Sequence, residues 1–527
     1  MSEYLPATTE SKFSNFSYLI NNNFYDFRVF LGSYDGRLKL LSPSSIKSLN
    51  IEDSIDNPFH SGFIILDNRQ DNIESSYNST IDQSDPKYYI PGQTSSINAQ
   101  NTFMFNGDSR DILRVQILPK LSQQSTTNID DKNVLKHFLL KFDFAIYNTE
   151  ELDDGTMDGK LKKLYFWELD YEILRTKNSY FTTTNYIYGK KENIQDLTDE
   201  ERRISTGAAL SAAILESLPA NDGFTTTIGA FDTGSTSIFF SAPGDFKCID
   251  TINYILDRHV SDPSSNYSPA LLQLERYPKA YSLTSFQKLF QNAVKVQDNQ
   301  FIAGPEYLET YKIAGYSDNK SDRLPLFNIE FAPAYAPFFQ AEGNLDVYSF
   351  DSVAGIYTQT EINSKIVHSY NYTNKEFDIE SNRNSMEAFN EIANKNYVYP
   401  FSTRGSKTFQ LGNYRLKNMN TSNKFAATEL DKNQRLSLGL AKNLKDYVFL
   451  NNFTTFRVQG ATHRQAGKFI GITRENNKQP TLFDNKFLGI YFILSVKHIF
   501  EDAKYINELV CVKTYLPSDI FLNKNIL

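Results

Sequence analysis

The stretch Phe456–Tyr515 restricts the fold more than any other part of the chain. It reads FRVQGATHRQAGKFIGITR, then a polar segment, then FLGIYFILSVKHIFEDAKYINELVCVKTY. Ile490, Phe492, Leu494, Val496 and His498 alternate with Tyr491, Ile493, Ser495 and Lys497. Ile506, Glu508, Val510, Val512 and Thr514 alternate with Leu509, Cys511 and Lys513. A period of two among β-branched and aromatic residues marks strands with two distinct faces. Glu501–Tyr505 closes a hairpin, and Gly460, Gly467, Gly471 and Gly489 stand near strand ends, where tight bends or bulges belong. The expectation is a small, closed antiparallel barrel with at least four strands.

The same signal returns near the start. Phe24–Leu41 reads as a hairpin turning at Ser33–Gly36, and Asp35-Gly36 is a turn dipeptide. Ile46–Ile55, Ser61–Leu66 and Ile112–Leu118 read as strands, and in His137–Tyr147 the residues Phe138, Leu140, Phe142, Phe144 and Ile146 share a face. Leu164–Lys177 is read as a further strand, with Trp167, Leu169, Tyr171 and Ile173 inward and Glu168, Asp170 and Glu172 toward water. With 41 Phe and 32 Tyr against one Trp, rings suited to cross-strand packing are plentiful.

Between these ends the period changes. Leu210, Ile214 and Leu218 recur at helical spacing, Thr225–Ser241 is strand-like, and Asp250–Val260 is a helix turning Ile252, Ile255 and Leu256 inward. SLTSFQKLFQNAV offers a capping box, Thr284 with Gln287, ahead of a stripe of Phe286, Leu289, Phe290 and Ala293. Strands return in LPLFNIEFAP, LDVYSF and SKIVHSYNYTNKEFDIE, followed by a short helix around Ser385–Ala393 and an irregular polar stretch over 400–440. A chain of 527 residues exceeds one core at roughly 150 residues per domain. The predicted division is an arm over 1–23, a first β-barrel over 24–184 carrying a polar loop at 67–102, and an α+β insertion over 185–323. A β-rich connecting part over 324–440 and a second barrel over 441–527 complete it. The fold class is mainly β with an α+β insertion, and the similar ends suggest an internal duplication.

Chemistry-bearing patterns are sparse. His60, His137, His259, His368, His463 and His498 show no metal-ligand spacing. His498 lies between Val496 and Phe500 on its face and reads as a hydrogen-bonded core or interface histidine. His463, beside Arg464 after a Gly-rich turn, reads as an exposed polar contact. The acidic segment EELDDGTMDG lacks the spacing of an EF-hand and reads as a solvated hairpin loop, with Asp153 and Asp158 as the ligands if Ca²⁺ were held there. Cys248 and Cys511 read as buried thiols without a disulfide framework. No G-x-S-x-G, P-loop or G-x-G-x-x-G occurs. No catalytic, cofactor-binding or metal residue is therefore assigned, and no cofactor is expected. Carboxylate pairs from distant positions keep a glycan-degrading enzyme open as an alternative, and exposed aromatics keep a carbohydrate- or receptor-binding module open. A net charge of −8 argues against stable nucleic-acid binding. The N-terminal residues lack a signal-peptide pattern and no apolar run nears a membrane span, so the expectation is no membrane partner.

FRVQG at Phe456–Gly460, GKFIGI at Gly467–Ile472, GIYFILSVKHIF at Gly489–Phe500 and the strand Tyr505–Tyr515 together resemble the C-terminal barrel of baseplate central hub proteins of contractile-tailed bacteriophages. That family is related to the N-terminal part of type VI secretion spike proteins. The hairpin Phe24–Leu41 and a strand at Tyr171–Thr176 look similar to the family's first barrel, and YSLTSF at Tyr281–Phe286 fits a hub insertion domain. The resemblance covers both ends and about half of the chain. It implies a non-enzymatic homotrimer whose paired barrels make a pseudo-sixfold ring between a hexameric tail tube and a threefold spike. The implied partners are the tail tube protein, the central spike protein, baseplate wedge proteins and the tape measure protein. The implied place is the virion tail, assembled in the host cytoplasm.

Overall fold

A computed structural model describes residues 17–20, 23–33, 38–41, 45–67, 111–120, 140–153, 160–188, 203–218, 227–261, 270–276, 279–297, 300–313, 326–332, 343–351, 356–364, 369–371, 376–378, 407–411, 415–416, 429–430, 453–474, 489–501 and 504–513. The loop expected at 67–102 past Asp67, the turn Ser33–Gly36 past Ser33, Asp158 and the helix expected at Ser385–Ala393 lie outside these residues, as do His137 and His368.

The N-terminal strands are β1 (Ser17–Ile20), β2 (Asn23–Ser33), β3 (Leu38–Leu40), β4 (Ile46–Ser54), β5 (Asn57–Asp67), β6 (Asp111–Lys120), β7 (Leu140–Asp153) and β8 (Lys160–Glu168). Helices α1 (Leu169–Thr176) and α2 (Thr183–Tyr188) lead into β9 (Ile204–Ser205), α3 (Thr206–Ser217), β10 (Thr227–Phe231), β11 (Ser237–Ile238) and α4 (Cys248–Leu256). Then come β12 (Ala270–Arg276), β13 (Lys279–Ser285), α5 (Phe286–Ala293), β14 (Val294–Gln297), β15 (Gln300–Ala303), β16 (Tyr307–Ile313) and β17 (Leu326–Ala332). The connecting part holds β18 (Gly343–Asp351), β19 (Ile356–Ser364), β20 (Ser369–Asn371), β21 (Glu376–Asp378), β22 (Lys407–Leu411), β23 (Arg415–Leu416) and β24 (Glu429–Leu430). The last three of these lie in the stretch read from sequence as irregular. The chain closes with β25 (Phe453–Gln459), β26 (Phe469–Arg474), β27 (Gly489–Glu501) and β28 (Lys504–Lys513).

The mainly β class is as expected, and the helices α3, α4 and α5 lie in sequence between the β-rich ends. The sheet topology is not that of two separate barrels. A single 14-stranded sheet runs β1-β2-β6-β7-β8-β5-β4-β27-β28-β25-β17, with β3 on β2, β26 on β27 and β16 on β26. Among the described residues neither end closes into a barrel by strand pairing. The physical reason lies in β27, which is long enough to serve both ends. Its first residues, Gly489–Phe492, pair with β26, and Ser495–Glu501 pair with β4 from the N-terminal half. Between them the ladder to β28 shifts register at Ile493–Ser495. Such a bulge reverses which face successive side chains take. Ile490 and Phe492 therefore enter one core with Leu494, while Val496 joins Tyr491 and Ile493 in another, contrary to the unbroken alternation read from the sequence.

The core of the N-terminal strands is built from residues such as Val29, Leu49, Ile64, Val115, Phe142, Phe144 and Phe166. It is completed by Phe500 and Tyr505 from the far end of the chain. Phe27 stacks on Phe500 at 4.5 Å and Phe500 on Tyr505 at 4.3 Å between ring centroids. On the other face of the same strands Glu508 bonds Arg457 at 2.7 Å and lies 3.8 Å from Lys497, whose backbone pairs with Glu52 of β4. Exposed pairs of this kind contribute up to about 1 kcal/mol, so the apolar column supplies most of the cohesion.

Two local readings need correction. The strand expected over Leu164–Lys177, including its Tyr171–Thr176 end, stops at Glu168 and continues as α1. Glu168, Asp170 and Glu172, read as water-facing, are all buried. Glu172 accepts Trp167 Nε1–H at 2.8 Å and pairs with Arg175, and Asp170 accepts the Tyr281 hydroxyl at 2.8 Å. The cap of α5 falls on Ser285, whose hydroxyl accepts the Lys288 N–H at 3.2 Å. Thr284 lies inside β13, so the Thr284–Gln287 box does not form the cap. The helical stripes themselves hold: Leu210, Ile214, Leu218, Ile252 and Ile255 fill one core. Phe286, Leu289 and Ala293 pack against Phe469, Phe492 and Val512 of the C-terminal strands. No described helix is long and apolar enough to cross a membrane.

Candidate functional site

Gly460–Gly467, the turn between β25 and β26, bonds to four separated parts of the chain. Gly460 N–H donates to Tyr505 O of β28 at 2.8 Å, and Gly467 N–H to Ile493 O of β27 at 2.9 Å, which ties the turn to the closing hairpin. Ala466 N–H donates to Asp53 Oδ2 of β4 at 2.9 Å, and Ala466 O accepts Gln273 Nε2 of β12 at 2.9 Å. Arg464 Nε donates to Glu309 Oε1 of β16 at 2.6 Å. Glycine is required at both ends. Gly467 has φ +81°, and a Cβ on Gly460 would lie 2.2 Å from the Tyr505 ring.

The polar side chains here are buried, which favours pairing their polar atoms, although His463 Nδ1 has no hydrogen-bond partner. Glu309 accepts from Arg464, lies 3.3 Å from His463 Nε2, and also accepts the Tyr311 hydroxyl. Burial by itself would raise the Glu309 carboxyl. The Arg464 charge and the bonds from His463 and Arg464 outweigh it and hold the acid well below the usual carboxylate range. Burial drives the Tyr311 hydroxyl well above its ordinary value, so it stays a donor. Arg464 also donates through Nη1 to Asn507 Oδ1 at 2.8 Å and to Gln459 O. On the far side of Asn507, His498 Nδ1 lies 3.0 Å from Asn507 Nδ2 and 2.7 Å from the Tyr505 hydroxyl. His498 is thus the hydrogen-bonded core histidine that its strand position suggested. His463 is not exposed as expected: its side chain is 8% accessible and faces Glu309.

A second set of buried polar groups adjoins Asp53. His60 lies between Asp53 Oδ1 at 3.7 Å and Glu168 Oε2 at 3.6 Å. From Glu168 through His60 and Asp53 to the turn, and on through Arg464, Asn507 and His498, polar groups thread the junction of the two ends of the sheet. Chemically this arrangement suits fastening. Glu309 is locked ionised against a fixed cation, and Arg464 is engaged by an acid, an amide and a carbonyl. Among the described residues no group of three His, Cys, Asp or Glu side chains could hold a metal ion. Asp153 ends β7, while its expected co-ligand Asp158 lies outside the described residues. Cys248 and Cys511 are free and buried.

Sequence reading did not assemble this site. The network's members stand 155 residues apart in the case of Arg464 and Glu309, and 413 apart for Ala466 and Asp53. The available signal was local: a Gly-bounded turn holding His463 and Arg464 among strands too apolar to leave a cation unmatched.

No family model matches the chain, and no curated protein matches it in sequence. Several solved structures align with most of the chain. A tail protein from Neisseria meningitidis aligns over 94% of this chain and 98% of its own, at 8% identity and a TM-score of 0.45. The 43 kDa tail protein of prophage MuSo2 from Shewanella oneidensis aligns over 92% and 98%, at 8% identity and 0.40. A chain of the Francisella PdpA–VgrG complex aligns over 95% of this chain and 55% of its own, at 10% identity and 0.37.

Proposed function

We propose that this chain is the structural hub of a phage-type tail baseplate. Three copies form a ring, and each contributes two β-rich ends, so a threefold assembly presents six similar positions. Such a ring can join a hexameric tail tube above to a threefold spike below, with wedge and tape measure proteins at its periphery. The division into 24–184, 185–323, 324–440 and 441–527 is proposed along with it, as is assembly in the host cytoplasm.

One observation carries this reading. The two ends of the chain are fused through β4 and β27 and fastened by the turn 460–467, so their spacing and angle are fixed within each subunit. A symmetry adaptor needs that rigidity. The motifs FRVQG, GKFIGI and GIYFILSVKHIF that resemble hub barrels lie at this junction. A glycan-hydrolysing role needs two carboxyl groups facing a substrate, one of them able to carry a proton. Glu309, the acid most embedded in the site, is buried and held ionised by Arg464, which suits it to neither part.

Size-exclusion chromatography with light scattering on the full chain tests the proposal. A trimer at micromolar concentration, seen as a six-lobed ring by negative-stain microscopy, is the expected result. A stable monomer at that concentration overturns it.

A further inference from the structure

We draw no further inference here: the strongest candidate, the buried side-chain cluster of Thr206, Asp232 and His259 at the start of α3, leaves His259 Nε2 without a hydrogen-bond partner 3.7 Å from Asp232 Oδ1, but among the described residues no third His, Cys, Asp or Glu joins the pair to hold a metal ion, and nothing in the structure shows what it would bind.

Discussion

Arg464 and Glu309 are the residues whose loss the molecule should tolerate least. Removing one charge of a buried pair leaves the other uncompensated, a cost of about 3–5 kcal/mol. Arg464→Leu should destabilise the chain by that amount in urea unfolding, while Arg464→Met with Glu309→Leu should recover most of it. The pH dependence has a definite sign. The folded-state proton affinity of Glu309 is depressed below the ordinary carboxylate value of 4.5. Its contribution is therefore present above about that value and disappears as the pH falls below it. His259 behaves differently. Burial lowers it to about 4 from 6.5, with Asp232 partly opposing. The unfolded chain takes up this proton first, so stability is complete above about pH 6.5 and declines as the pH falls toward 4. At about pH 5 the loss is about 2 kcal/mol. Urea titrations at about pH 7 and about pH 5 should show that loss, and His259→Gln should reduce it. The polar site was the part hardest to read from sequence. Periodicity reports which face a residue takes, but Arg464 gains its meaning from Glu309 on another strand, and no local pattern encodes that meeting.

Individual strands and helices were far more legible. Alternation located β2, β6, β7 and the four closing strands, and helical spacing located α3, α4 and α5, because in each the apolar side packs a core. The failures have physical causes. WELDYEILRT satisfies both periods, since buried acids at 168, 170 and 172 imitate an alternating strand while Asp170 and Leu174 share a helical face. Sequence reading assigns acids to water, whereas Glu172 accepts from Trp167 and Arg175, Asp170 accepts from Tyr281, and Glu168 lies beside His60. The bulge in β27 has no composition signature, because every residue around it is apolar or small. Its consequence is that one strand serves three cores: Ile490 and Phe492 in one, Tyr491, Ile493 and Val496 in a second, and Phe500 in a third. Phe500→Ala should therefore cost about 3–5 kcal/mol and loosen β4 and β2 as well as its own hairpin. Exchange protection over 46–54 should fall together with that over 495–501. Gly460→Ala should act on the same hairpin by driving the Tyr505 ring aside. Loss of the near-ultraviolet tyrosine signal with retained strand content would be its mark.

At the scale of the whole chain, the sequence revealed β-rich ends but not that they are interdependent. Two separate barrels would each bury their own core, and either could fold without the other. Here the N-terminal core contains Phe500 and Tyr505, and β4 has its free side covered by β27. A chain ending at residue 440 would lack both rings and leave β4 as an unprotected edge, the feature that sheets otherwise cover or charge. Such a fragment should show no cooperative thermal transition and should be cut by protease within 46–66, where the full chain resists. Adding the segment 441–527 in trans should restore resistance if the junction is the source of stability. A fragment 1–440 that folds cooperatively by itself would mean that the ends are independent, and the fixed spacing on which the adaptor reading rests would be lost. The dependence also orders synthesis, since the first strands made cannot complete their core until the last hairpin has emerged. Ribosome-arrested chains stalled before Phe500 should accordingly remain protease-sensitive over the same 46–66 segment.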